Sequence, residues 1–110
     1  MAYSAKHRHA PIKAYKARLV IDLIRGKTVN DALNILRYKP QRAARMIESV
    51  VKSAQANAED RGADGVFYIS KCWVDEGFMM KRFRPRSRGG AAPYLRRRSH
   101  ICVEVDVRDQ

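Results

Sequence analysis

Ile101-Cys102-Val103-Glu104-Val105-Asp106-Val107 places Ile and Val at every second position, with Cys102, Glu104 and Asp106 between them. A period of two is that of a strand resting one face on a core and turning the other outward. Upstream, Val66-Phe-Tyr-Ile-Ser-Lys-Cys-Trp-Val74 is rich in β-branched and aromatic residues and is bounded by Gly65 and Gly77, so it reads as a second strand. Both of its faces are partly apolar, which leaves its register open. Antiparallel pairing of the two strands turns everything between them into one excursion, and that pairing decides the fold.

The excursion is cationic. Between Glu76 and Glu104 there is no carboxylate, while Lys81, Arg82, Arg84, Arg86, Arg88, Arg96, Arg97 and Arg98 surround Gly89-Gly90. The segment 78–98 is therefore expected to be a long hairpin, reaching about 35 Å from the body if roughly 11 residues on each side run at about 3.3 Å apiece. Phe78, Met79, Met80, Phe83, Tyr94 and Leu95 are too few to give it a core. A two-stranded ribbon is marginal in water, like charges across it weaken it further, and Pro85 and Pro93 each remove a ladder donor. The arm is expected to be mobile in the free protein and to be ordered by a polyanion.

Before the first of these strands the period is helical. Pro11 to Arg25 reads as a helix with Ile12, Leu19, Val20, Leu23 and Ile24 on or near one face, Lys13, Lys16 and Arg18 pointing away, and Gly26 as the stop. Thr28 can cap a second helix, with Asp31 near its positive end and Val29, Ala32, Leu33 and Leu36 as its stripe. Pro40 opens a third, on which Ala43, Met46, Ile47, Val50, Val51, Ala54 and Ala58 carry the apolar face to about Arg61. The expected fold is α+β: three helices on a small antiparallel sheet with a protruding basic β-hairpin. It forms a single domain over 1–110, with the body at 1–77 and 99–110.

Charge separates the function classes. A net +12 on 110 residues suits nucleic acid, an anionic membrane or an acidic protein. Residues 1–21 contribute +5, 22–77 only +1, 78–103 contribute +8 and 104–110 contribute −2, so the charge belongs to two segments. Arginine forks match phosphate oxygens and the interleaved aromatics can stack on unpaired bases, which favours nucleic acid. No stretch of about 18 apolar residues spans a bilayer, and the start of the chain lacks the apolar run of a signal peptide. A membrane partner is not expected, and the chain is expected to stay in the compartment where it is made. Cys72 and Cys102 are then expected to be free thiols, the alternatives being one disulfide or a share in a metal site.

A second basic patch is formed by Lys6, His7, Arg8 and His9 with Lys13, Lys16 and Arg18. His7 and His9, with no carboxylate close in sequence, make a poor metal pair. Asp75 and Glu76 point to opposite faces of a strand and cannot share a proton as a catalytic dyad. A turn or bulge at Glu76-Gly77 is the better account of them. With no phosphate-binding glycine loop, zinc-ligand set or nucleophile elbow, no catalytic residue, metal or cofactor is assigned and the chain reads as non-enzymatic. A DNA-bending protein with a basic β arm is the nearest alternative. It would need an apolar dimer face, whereas these helical stripes are expected to be consumed by one monomeric core.

Ala5-Lys-His-Arg-His-Ala10, Arg18-Leu-Val-Ile-Asp-Leu-Ile-Arg-Gly26, Ala54-Gln-Ala-Asn-Ala-Glu59, Val74-Asp-Glu-Gly77, Met80-Lys-Arg82, Pro85-Arg-Ser-Arg-Gly89 and Arg97-Arg-Ser-His-Ile101 occur in that order. Together they resemble the bacterial-type large-subunit ribosomal protein L twenty-two family, over nearly the whole chain. The resemblance implies a cytoplasmic ribosomal protein of a bacterial or organelle-type ribosome, a structural constituent that binds large-subunit ribosomal RNA and aids assembly. Its implied partners are that RNA, neighbouring ribosomal proteins and the nascent peptide in transit, with no homo-oligomer. By matching position, Lys6, His7, Arg8, His9, Lys13, Lys16, Arg18, Lys81, Arg82, Arg84, Arg86, Arg88, Arg96, Arg97, Arg98 and His100 would contact RNA. Arg86, Ser87, Arg88, Gly89, Gly90, Ala91 and Ala92 would form a tip lining the peptide exit tunnel. Gly90, Ala92 and Pro93 stand where the family often has charged residues.

Overall fold

A computed structural model describes residues 3–77, 80–85, 91–96 and 98–108, the segments 80–85 and 91–96 by backbone alone. The order along the chain is β1 (Tyr3–Ala10), α1 (Ala14–Ile21), α2 (Val29–Arg37), α3 (Arg42–Asp60), β2 (Val66–Glu76), β3 (Met80–Pro85), β4 (Ala91–Arg96) and β5 (Ser99–Arg108). β5 lies between β1 and β2 in a three-stranded antiparallel sheet, and the three helices cover one face of it. β3 and β4 form a separate antiparallel ladder from Met80–Arg96 to Pro85–Ala91. In a two-stranded ladder every strand is an edge, which is where Pro85 and Pro93 can be tolerated.

The alternation of β5 sorts its side chains as the sequence suggests. Ile101, Val103 and Val105 are fully buried beneath the helices, and His100, Glu104 and Asp106 are half-buried on the other face. The open register of β2 is settled by Val74 opposite Ile101 and Cys72 opposite Val103, with an irregularity between Ile69 and Lys71 that returns Ile69 to the core. Trp73 therefore lies opposite Cys102 on the outer face. Cys72 and Cys102 are buried on opposite sides of the sheet as free thiols, an arrangement incompatible with a disulfide between them.

Helix α2 begins as expected, with the Asp31 N–H donating to Thr28 Oγ1 at 3.2 Å and Val29, Ala32 and Leu36 buried. Helix α3 buries Ala43, Ala44, Ile47, Val50, Val51, Ala54 and Ala58 and lies over β1 and β5. Arg45 of α3 donates to the carbonyls of Leu36 and Lys39, which satisfies acceptors left over where α2 ends.

Four expectations need correction. The basic run from Lys6 to His9 lies on an edge strand of the sheet, Tyr3–Ala10, where no element was expected. Helix α1 occupies only Ala14–Ile21, and the chain continues in turns through residues 22–26. Its buried side is Ala14, Ala17, Val20 and Ile21, followed by Ile24, while Leu19 and Leu23 are 70% and 41% exposed. Alanines let α1 approach the sheet closely, so the leucines flank the contact instead of filling it, and the helical stripes are not all consumed by the core. Finally, the ladder does not turn at Glu76-Gly77: Glu76 pairs with Ser99, and the Gly77 N–H donates to the Arg98 carbonyl at 2.8 Å. The expectations about the Gly89-Gly90 turn and the mobility of the tip fall on residues outside those described.

Gly65 sits at φ +129 where the chain enters β2, and a Cβ there would lie 2.7 Å from Val107 Cγ1 and 3.0 Å from the Arg108 carbonyl oxygen. Gly65→Ala is expected to cost about 2 kcal/mol or more, from strain and close contact together. Thr28→Ala should cost about 1 kcal/mol through the lost cap. Urea denaturation of the two variants measures both, and a Gly65→Ala midpoint equal to that of the parent would contradict the assigned packing.

Candidate nucleic-acid interface

Three segments converge where the sheet gives way to the arm. The register of β1 shifts between His7 and Ala10, and His9 occupies the left-handed region at φ 57. That bend aims the His9 N–H at His100 Nδ1, 3.1 Å away, and sets the two rings edge to face with centroids 4.8 Å apart. Because Nδ1 accepts, a neutral His100 ring carries its proton on Nε2. Arg98 Nη1 donates to the His9 carbonyl at 3.2 Å, and Ser99 Oγ donates to the Ile12 carbonyl at 2.6 Å. The N-terminal strand, the start of α1 and the return into β5 are thereby tied together.

Helix α1 and the turns after it place further cations along the neighbouring edge of β2. Arg18, expected to point away from the body, instead folds its guanidinium onto the free edge of β2, with Nη2 and Nε donating to the Val74 carbonyl at 2.9 and 3.2 Å. Arg25 Nη2 donates to the Cys72 carbonyl at 3.0 Å while Nη1 pairs with Asp22 at 2.8 Å. The Asp22 hydrogen bond, aided by the buried Cys72 nearby, raises the Arg25 pKa further. Between α1 and the end of β2 lies a cleft of about 400 Å³ lined by Lys13, Ala14, Tyr15, Arg18, Glu76, Gly77 and Arg98. Gly77 fits there because a Cβ would meet the Arg98 carbonyl oxygen at 3.2 Å and His100 Cε1 at 3.3 Å.

The basic N-terminal run is divided by strand periodicity. Lys6, opposite Cys102, takes the outer face of the sheet, whereas half-buried His7, opposite Ile101, turns toward the helices. Lys6, Arg8, His9, Lys13 and Lys16 are exposed. On the same outer face Trp73 is 37% exposed, with its indole N–H donating to Asp75 Oδ2 at 3.0 Å. Lys81, Arg82 and Arg84 stand on β3 opposite Leu95, Tyr94 and Ala92, and Arg96 stands on β4 opposite Met80. Arg86, Ser87, Arg88, Gly89, Gly90 and Arg97 lie outside the described residues; Ala91 and Ala92 begin β4. Three residues that sequence reasoning did not place at the interface, Tyr15, Trp73 and Glu76, border it. Only their proximity in space reveals them.

The model of the family described as Ribosomal protein L22p/L17e matches residues 5–106. The chain is 52% identical over 99 residues to "Large ribosomal subunit protein uL22" of Ligilactobacillus salivarius, covering 88% of this chain and 86% of the relative. To the protein of the same name in Lactobacillus delbrueckii subsp. bulgaricus it is 47% identical over 103 residues, 92% of this chain and 88% of the relative.

The two thiols, one on each side of the sheet, respond to pH in a defined direction. Burial pushes the Cys72 thiol up, with Arg25 partly opposing, and burial likewise raises Cys102 against the pull of Lys6. The unfolded chain therefore ionises first, and stability present below the ordinary thiol value of about 8.5 declines as pH rises past it. The urea midpoint is expected to fall between about pH 7.5 and 9.5, and to fall less in Cys72→Ala, compared over the same interval. A parent midpoint flat across that interval would rule the thiols out as contributors.

Proposed function

The chain belongs to the ribosomal protein L22p/L17e family and is a structural constituent of the large ribosomal subunit, and from this premise we propose that it acts as a clamp on large-subunit ribosomal RNA. It is a ribosomal protein and not an enzyme, and its place is the ribosome in the cytoplasm. In the proposed arrangement the body is a platform docked on RNA through Lys6, Arg8, His9, Lys13, Lys16, Arg18, Arg98 and His100. The arm carrying Lys81, Arg82, Arg84, Arg86, Arg88, Arg96 and Arg97 enters the RNA, and its tip from Arg86 to Ala92 lines the nascent-peptide exit tunnel.

The observation that carries this reading is the convergence of cations from β1, α1 and the start of β5 at the root of an acid-free arm. A phosphate backbone threading from body to arm would meet positive charge from β1, α1 and Arg98 before the cations of the arm, with Glu76 as the one carboxylate lining the cleft on the way. Each phosphate contact releases condensed counterions, so the entropy of that release supplies much of the binding free energy. The principal extents of 67, 26 and 16 Å support a body with a long projection. Arm residues with so few apolar neighbours gain order only as their charge is neutralised, which couples binding to assembly of the surrounding RNA. Exposed Leu19 and Leu23 are of no use to a phosphate backbone and suit a neighbouring ribosomal protein. The protein is proposed to enter the subunit as a single copy.

Binding of the purified chain to large-subunit ribosomal RNA across a salt series tests the electrostatic account. With roughly six cations on phosphate, the slope of log K against log salt should be about −4 to −5. A slope near about −1 would remove that account. Deleting Met80, Lys81 and Arg82 should leave the thermal transition of the body in place while changing which tip positions crosslink to nascent peptide in reconstituted ribosomes. Loss of the transition would count against the division into body and arm.

A further inference from the structure

We infer that the cleft between the start of α1 and the end of β2 receives a single unstacked guanine nucleotide of the RNA, with Glu76 reading the base and Tyr15 stacking on it; this deepens, and rests on, the RNA-binding reading. The cleft holds about 400 Å³. That is within the roughly 300–1,000 Å³ of small-ligand sites and ample for one nucleotide. Its lining is unusual for a plain phosphate site. Lys13, Arg18 and Arg98 supply positive charge, but Glu76 places a carboxylate among them, and Tyr15 adds an aromatic ring that is 58% exposed.

A carboxylate repels a phosphate, so a site built only for backbone would be weakened by Glu76. A nucleotide resolves the conflict because it is anionic at one end and offers donors at the other. Guanine presents N1–H and N2–H side by side, matching the two oxygens of a carboxylate, whereas adenine and cytosine pair one exocyclic donor with a ring acceptor that a carboxylate repels. Glu76 has the freedom for this role: its carboxylate has no hydrogen bond or ion pair within the described residues, although three cations share its cleft. The gap between them is the space assigned to the base.

The rest of the cleft is prepared in advance. Arg18 is held by two hydrogen bonds to the Val74 carbonyl, and Arg98 donates to the His9 carbonyl, so neither guanidinium must be ordered on binding. The absence of a side chain at Gly77 leaves backbone as one wall. Helix α1 opens with no side-chain cap and no acidic residue in its first turn, so its positive end adds to the attraction for the nucleotide phosphate. Tyr15 provides a π-face of the kind on which unpaired bases stack.

The test is an amide NMR titration of the full chain with guanosine 5′-monophosphate, cytidine 5′-monophosphate and inorganic phosphate. Saturable shifts at Tyr15 and Gly77 are expected with the guanine nucleotide, with an apparent Kd about tenfold lower than for the cytosine nucleotide. In Glu76→Gln the two should come within about twofold, since one bidentate contact is lost, and the response to inorganic phosphate should not weaken. Glu76 is exposed and has no hydrogen bond or ion pair among the described residues, so this variant should keep the parent spectrum elsewhere. Equal affinities for the two nucleotides, shifts reproduced by inorganic phosphate alone, no saturable shifts, or a guanine preference surviving in Glu76→Gln would each overturn the proposal. Binding to large-subunit ribosomal RNA in a salt series separates the levels: a steep slope without guanine preference removes only the pocket, while loss of both removes the RNA-binding reading as well.

Discussion

Strand β5 is the element on which the others depend, because it is the hydrogen-bonded neighbour of both β1 and β2 and supplies the inward row Ile101, Val103 and Val105. Its partners are distant in sequence, β1 by most of the chain and β2 by the whole arm. Pairing with β2 brings the two ends of the arm together, and pairing with β1 brings His9 against His100 and Arg98. The interface at the root of the arm is thus a by-product of sheet register: shift β5 by one residue and His100 and the apolar row exchange faces.

The outer edge of β2 would otherwise invite another strand, and here it is closed by the loop and helix before it. Arg18 and Arg25 bind the carbonyls of Val74 and Cys72, the Lys27 carbonyl accepts from the Ile69 N–H, and Thr28 bridges to Tyr68. Such covering is a common protection for an exposed sheet edge. Two of the cations counted toward the surface therefore also serve the fold. The Glu48 carboxylate of α3 is occupied along its own helix, 3.1 Å from Arg45 and 3.2 Å from Lys52.

Much of this was legible in the sequence, and what was not has physical reasons. The alternation in β5, the Thr28 cap and the α3 stripe are local patterns, and each appears where it was expected. β1 escaped notice because its inward positions, Tyr3, Ala5 and His7, are only partly buried and include just one small aliphatic residue, so its alternation carries little hydrophobic contrast. In α1 the two leucines suggested a core face, but close approach to the sheet favours Ala14 and Ala17, which composition alone undervalues. At the interface, the basic residues were readable as charge. Their division was not: His7 turns inward by strand parity, Arg18 is held by a strand some 56 positions away, and Glu76 comes to line one cleft with Tyr15 only through tertiary packing.

The placement of β5 has a consequence for how the protein comes into being. The middle strand of the sheet is made after both of its neighbours, so from the completion of β2 at Glu76 until Ser99 emerges the growing chain has two outer strands and nothing between them. The helices can form as they emerge, but their apolar faces have no complete surface to cover until residues 99–108 are present. The acid-free arm, made just before β5, is exposed to polyanions while the body is still open. Closing of the body and the proposed first contact with RNA are thereby brought into the same short interval, as residues 99–108 are made.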